Sequence, residues 1–70
     1  MAEHFSQEEL TDRETDVLKL VATGKANKEI GVTFGVSEET EKSHMRSILA
    51  KLGASDRTHA AIMAVRRGII

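Results

Sequence analysis

Seventy residues make at most one domain, and such a chain buries only roughly 60% of the surface its unfolded form exposes. No cysteine is present, so disulfides and thiolate metal sites are excluded, as suits a reducing compartment. The longest apolar run, Ala60 to Val65, is far too short to span a bilayer, and no signal-peptide pattern opens the chain. Phe5 and Phe34 are the only large aromatics, so the core must be aliphatic, and a stacking platform for single-stranded nucleic acid is disfavoured. The net charge of -1 is unevenly spread. Glu3, Glu8, Glu9, Asp12, Glu14 and Asp16 face Arg13 and Lys19 in the first twenty residues. In the last twenty, Lys51, Arg57, Arg66 and Arg67 face Asp56. Such asymmetry can orient a protein on a polyanion without a basic total, although ordinary solvated faces give the same pattern.

In chain order, residues 1–9 are acidic and aperiodic and read as a flexible leader or linker remnant. Thr11-Asp12-Arg13-Glu14 is a capping box, with Leu10 placed for a hydrophobic staple. It opens a first helix over about residues 12–23. Glu14, Val17, Leu18 and Val21 share its inner face, and Gly24 ends it. A second helix over about 27–34 starts with Lys28 and Glu29 and turns Ile30 and Phe34 inward. Gly31 and Val32 make it intrinsically weak. Phe34-Gly35-Val36 is a tight turn.

The third helix, about 37–52, is N-capped by Ser37 and stopped by Gly53. Glu41, Met45, Ile48 and Leu52 form a stripe that is apolar except at its first position. The opposite face carries Glu39, Lys42, Ser43, Arg46 and Ala50. A short helix, a glycine turn and a longer helix with a polar, basic outer face is the helix-turn-helix pattern. In the fourth helix, about 55–67, Ser55 is the expected cap and Asp56 sits at the positive end of the dipole. Arg57, Ala60, Ala61 and Ala64 share its inner face. Thr58, Ile62 and Val65 point roughly the other way, where a lone domain needs no apolar residues. The expected fold is an all-α, four-helix bundle with a central helix-turn-helix.

Several blocks resemble the LuxR/FixJ/GerE-type DNA-binding domain in order and spacing. They are L-T-D-R-E-T-D-V-L-K-L-V-A-T-G, N-K-E-I, V-S-E-E-T-E-K-S-H, K-L-G-A-S-D-R-T and R-R-G-I-I, running from Leu10 to Ile70. The resemblance makes residues 10–70 the domain. It implies sequence-specific binding of double-stranded DNA by a bacterial, cytoplasmic transcription regulator. Most such domains belong to response regulators or autoinducer receptors. It assigns Lys42, Ser43 and Arg46 to the major groove, and Asn27, Lys28 and Thr40 to phosphates. It assigns helix 4 to a homodimer interface, which would account for Thr58, Ile62 and Val65, and it makes RNA polymerase a further candidate partner. No cofactor, membrane or enzymatic activity is implied. His4, His44 and His59 lack metal-ligand spacing, and no catalytic constellation can be read.

Two charged positions carry expectations of their own. Glu14 and Arg57 both project inward and are expected to pair, tying helix 4 to helix 1. Glu41 stands where the resembling family has a branched apolar residue. Buried unpaired, its carboxylate would cost several kcal/mol, so it should swing outward, find a partner or distort the first turn. Ala26 and Gly31 replace the family's usual Ser and Ala and should weaken helix 2. Two rival readings remain. A σ-factor region-4-like domain shares the L-T-x-R-E opening but not the K-L-G-A-S-D-R-T block. A protein-interaction module would use the apolar face of helix 4, with DNA binding impaired by Glu41.

Overall fold

A computed structural model describes residues 9–70. The expected leader over 1–9 therefore lies outside the described residues, apart from the exposed Glu9. Four helices follow in order: α1 (Asp12–Ala22), α2 (Asn27–Phe34), α3 (Glu38–Leu52) and α4 (Arg57–Arg66). No strand occurs among the described residues. α1 packs on α4 and α2 packs on α3, while α3 also meets α1 and α4. The recognition-type helix is thus the element that joins the two halves.

The local chemistry sets the helix boundaries. At α1 the Glu14 N–H donates to Thr11 Oγ1 at 3.1 Å, and the Thr11 N–H donates to Glu14 Oε1 at 2.9 Å, closing the capping box. α1 ends at Thr23 and Gly24, where the Gly24 and Lys25 N–H groups return to the carbonyls of Val21 and Leu20. At α2, Ala26 offers no side-chain acceptor, so only half a box forms: its N–H donates to Glu29 Oε1 at 2.9 Å. α3 starts one residue after its cap, with the Thr40 N–H donating to Ser37 Oγ at 3.0 Å.

At α4 the expectation needs correcting. Asp56, not Ser55, is the N-cap, and its Oδ1 accepts from the His59 N–H at 2.8 Å. A carboxylate at the positive end of the helix makes a charge-assisted bond that a neutral hydroxyl cannot match. Ser55 is left outside the helix, and its own N–H donates to His59 Nδ1 at 3.0 Å.

The core is aliphatic, as the composition required. Val17, Leu18 and Val21 of α1, Ile30 of α2, Met45, Ile48 and Leu52 of α3, and Ala60 and Ala64 of α4 are buried together. Each fully buried Leu, Ile or Val contributes about 1.5–3 kcal/mol. The alanines on α4 let that helix lie close to α1. Outside the core, the Arg13 guanidinium lies 4.3 Å from the centre of the Phe34 ring, linking α1 to the end of α2.

The view of Gly31 as simply a weak spot also changes. A Cβ added there would sit 2.8 Å from the Val36 carbonyl oxygen, closer than real contacts allow. Glycine costs α2 about 0.8–1.0 kcal/mol of propensity relative to alanine. In exchange it lets the chain between α2 and α3 fold tightly over the helix, with the Val36 N–H donating to the Gly31 carbonyl at 2.9 Å. The turn itself passes through Gly35 at φ 72°, a left-handed conformation that glycine adopts without strain.

Candidate nucleic-acid interface

The tight turn fixes where α3 begins, and the core stripe fixes which way it faces. With Met45, Ile48 and Leu52 anchored inward, Glu39, Lys42, Ser43 and Arg46 are forced onto the outer side. Lys42 and Arg46 are exposed and Ser43 lies between them on the same face. Neither Lys42 nor Arg46 has a hydrogen-bond or ion-pair partner among the described residues. Thr40 is exposed beside them, with its hydroxyl 3.0 Å from Ser37 Oγ. Lys28 is exposed on the first turn of α2. Asn27 is only half exposed, and its Oδ1 is buried with no partner. The structure thus brings Lys42, Ser43 and Arg46 together and leaves Asn27 partly turned inward.

Beneath this face, Glu41 stays in the core. It is 1% exposed. His44, one turn on, places Nδ1 3.1 Å from Glu41 Oε2, while Oε1 is buried and unpartnered. The carboxylate therefore finds a partner instead of swinging out. The first turn is not distorted, since the Ser37 cap is intact and the Glu41 N–H donates to the Ser37 carbonyl at 3.1 Å.

The expected Glu14–Arg57 pair does not form. Glu14 Oε1 accepts from Lys51 Nζ at 2.8 Å, and Oε2 accepts from Ser47 Oγ at 3.2 Å. The Arg57 guanidinium donates to the Lys25 carbonyl in the α1–α2 loop. The physical reason is position. Lys51 comes from α3, which crosses α1 at the level of its first turn, whereas Arg57 at the start of α4 lies beside the far end of α1. Burial pushes the Glu14 carboxyl up. The bonds from Lys51, Thr11 and Ser47 outweigh that and hold it below its ordinary value of 4.5. Sequence reading misses Ser47 and Lys51, although their i, i+4 spacing on the flank of α3 marks them as one patch. Nothing in the sequence points that patch at Glu14.

Thr58, Ile62 and Val65 line a groove of about 640 Å³ between α4 and the end of α1. Ile62 and Val65 are 46% and 58% exposed, so the outward apolar residues of α4 are uncovered in the single chain. Lys25, Arg57 and Arg66 also line it. No grouping of His, Asp and Glu among the described residues could hold a metal ion. No helix among them is long and apolar enough to cross a membrane.

A short helix, a glycine turn and a core-anchored helix with a basic outer face define a helix-turn-helix domain. Residues 8–64 match the profile of bacterial regulatory proteins, luxR family. The transcriptional regulatory protein YhcZ of Bacillus subtilis (strain 168) is 52% identical over 58 residues, covering 83% of this chain and 27% of that protein. The transcriptional regulatory protein LiaR of the same organism is 48% identical over 63 residues, covering 90% of this chain and 30% of that protein. Among solved structures, that of the transcription factor GerE superposes with a TM-score of 0.80 at 32% identity, covering 86% of this chain and 90% of that one. The chain belongs to the luxR family of bacterial regulatory proteins and has the family's DNA-binding helix-turn-helix fold. It spans less than a third of the length of these curated relatives.

Proposed function

We propose that this domain binds a specific double-stranded DNA site, with α3 in the major groove and α4 pairing two copies on half-sites about one helical turn apart. The observation that carries the reading is the pair of unpartnered cations, Lys42 and Arg46, one turn apart on the exposed side of a helix whose other side is locked in the core. Arginine grips guanine O6 and N7 bidentately, and lysine reaches guanine or phosphate. Ser43 between them is small enough to allow close approach. Lys28, Thr40 and the amide of Asn27 flank the helix as phosphate contacts, helped by the free N–H groups at the starts of α2 and α3. The uncovered Thr58, Ile62 and Val65 supply an apolar patch for a two-fold partner. Residues 10–70 form the binding unit, with residues 1–9 leading into it. The parent protein is a cytoplasmic response regulator in this reading, and RNA polymerase is its downstream partner.

In vitro selection of bound duplexes tests the reading. An enriched motif of paired half-sites is expected, with affinity falling steeply as salt rises. Lys42→Ala and Arg46→Ala should each lose roughly 1–3 kcal/mol on the selected site. A base reader also relaxes its position in the motif, whereas a phosphate contact weakens all sequences alike. Ile62→Asp should weaken pairing in sedimentation and lower affinity for the paired site more than for a single half-site. Selection that yields no motif would overturn the reading.

A further inference from the structure

We infer that Glu39 is a specificity-determining residue that selects a C·G pair within the half-site, its carboxylate accepting from the cytosine N4 amino group. The inference rests on the major-groove placement of α3 proposed above.

Three observations and one electrostatic argument lead to it. At 3.6 residues per turn, Glu39 projects within about 20° of Arg46 and between the directions of Lys42 and Ser43. It is therefore central to the outer stripe. Glu38, by contrast, lies about 80° from Arg46, toward one edge. Second, Glu39 occupies the N-terminal turn of α3, the end from which recognition helices address base edges. Third, it has no structural employment: it is exposed and has no hydrogen-bond or ion-pair partner among the described residues. Asp12 and Glu38 are likewise first-turn acids without a partner among the described residues, but Asp12 is on α1 and Glu38 lies off the centre of the α3 stripe, and the remaining acids near helix starts are engaged. Glu14 and Glu29 reach back to cap α1 and α2, Asp56 caps α4, and Glu41 is buried against His44. The cap of α3 is already supplied by Ser37. Fourth, an acid in the middle of a DNA-facing stripe is repelled by the phosphates, and only a donor on a base edge offsets that repulsion.

The chemistry of the groove then chooses the base. Along the major-groove edge only cytosine N4 and adenine N6 donate. Beside adenine N6 lies the N7 acceptor, which repels a carboxylate. Cytosine presents no acceptor next to its amino group. Guanine and the thymine carbonyl face the carboxylate with like-signed oxygen or nitrogen, so Glu39 also rejects the wrong pair. Seven residues separate Glu39 from Arg46, about 10 Å along the helix at 1.5 Å per residue. At 3.4 Å per step, that is roughly three base pairs.

The test uses the full chain in duplex selection, with Arg46→Ala first locating the guanine position that Arg46 reads. A C·G preference of about tenfold is expected two to four base pairs from it. Glu39→Ala should flatten that one position. Glu39→Gln should turn it toward A·T, because glutamine pairs with adenine N6 and N7. Glu38→Gln should leave the motif unchanged, and melting curves confirm that each variant is folded. If the Glu39 variants bind all duplexes more tightly by one common factor and keep the wild-type motif, Glu39 is only a repulsive charge and the inference fails alone. If the wild-type chain yields no motif, the groove reading fails and takes this inference with it.

Discussion

Two glutamates lie buried in this small core, and their surroundings are opposites. Glu14, in the first turn of α1, receives three hydrogen bonds from three directions: Thr11 on its own helix cap, and Ser47 and Lys51 on α3. One of those donors is a cation with a side chain only 17% exposed. Glu41, in the first turn of α3, is more deeply buried yet has only His44 of its own helix, and one of its oxygens faces no partner. Burial depth therefore does not decide whether a carboxylate holds a structure together. What decides is how many donors it meets, whether one is charged, and whether they come from another element. Glu14 ties α1 to α3. Glu41 ties α3 to itself.

The largest effect expected from this contrast comes from Lys51→Met, which keeps the aliphatic stem and removes the charge. It leaves a buried carboxylate with two neutral donors and should cost about 2–4 kcal/mol. Small single domains are stabilised by only about 5–15 kcal/mol, so the loss should be obvious in urea unfolding. An unchanged midpoint would mean that the Glu14 network is decorative. The opposite sign is expected at the other site. Glu41→Val replaces an under-satisfied buried carboxylate with an apolar side chain that extends the Met45, Ile48 and Leu52 stripe, and should stabilise by about 1–3 kcal/mol. In a domain of this size each kcal/mol raises the melting temperature by about 4–8 °C. The same variant should bind the selected duplex more tightly, since it removes an acidic residue from the start of the recognition helix. Equal melting temperature and equal affinity in the two chains would refute both statements.

Acid should separate Glu14 from its surroundings more gently. Its carboxyl titrates below 4.5 in the folded state because of Lys51, Thr11 and Ser47, so between the folded and unfolded values the unfolded chain holds more protons. Its contribution is therefore complete above the unfolded value near 4.5 and is lost as pH falls through the folded one. The stability gap between the wild type and Glu14→Gln should be widest near neutrality and should close as pH falls from the unfolded value near 4.5 through the lowered folded one. A gap that stays constant through that window would mean that the charge of Glu14 contributes nothing.

Much of this is legible in the sequence alone. The capping box at Thr11 and the Ser37 cap are written in three- and four-residue spacings. The inner stripe of α3 and the outward Lys42, Ser43 and Arg46 follow from one helical period. What local spacing cannot supply is the partner across an interface. Glu14 and Arg57 both face inward, and periodicity says nothing of the height at which α3 and α4 cross α1, so spacing alone misassigns the pair. At α4 the competition between Ser55 and Asp56 turns on which acceptor meets the His59 N–H, a matter of one residue's backbone angle. Glu41 stands out as anomalous because it breaks an apolar stripe. That it remains buried beside His44, instead of swinging outward, is a matter of tertiary packing that one helical period cannot supply.

The smallest effect tests whether His44 matters to Glu41 at all. His44→Ala removes the one bond to Oε2, and the histidine is itself 36% exposed, so the loss should be at most about 1 kcal/mol. That value alone is ambiguous, because alanine also favours the helix and offsets part of it. The ambiguity disappears in a double-mutant cycle with Glu41→Val. If His44 acts through Glu41, replacing it in the Glu41→Val variant should show only the propensity gain, and the coupling should be near ~1 kcal/mol. If the cost is the same in both backgrounds, His44 is merely packed there. Glu41 is then a buried carboxylate without a partner in any energetic sense, and the contrast with Glu14 becomes complete. The cycle also bears on the DNA-facing side of α3, because His44 lies one residue from Ser43. A variant pair that changes stability without changing the selected motif would separate the helix's structural face from its reading face.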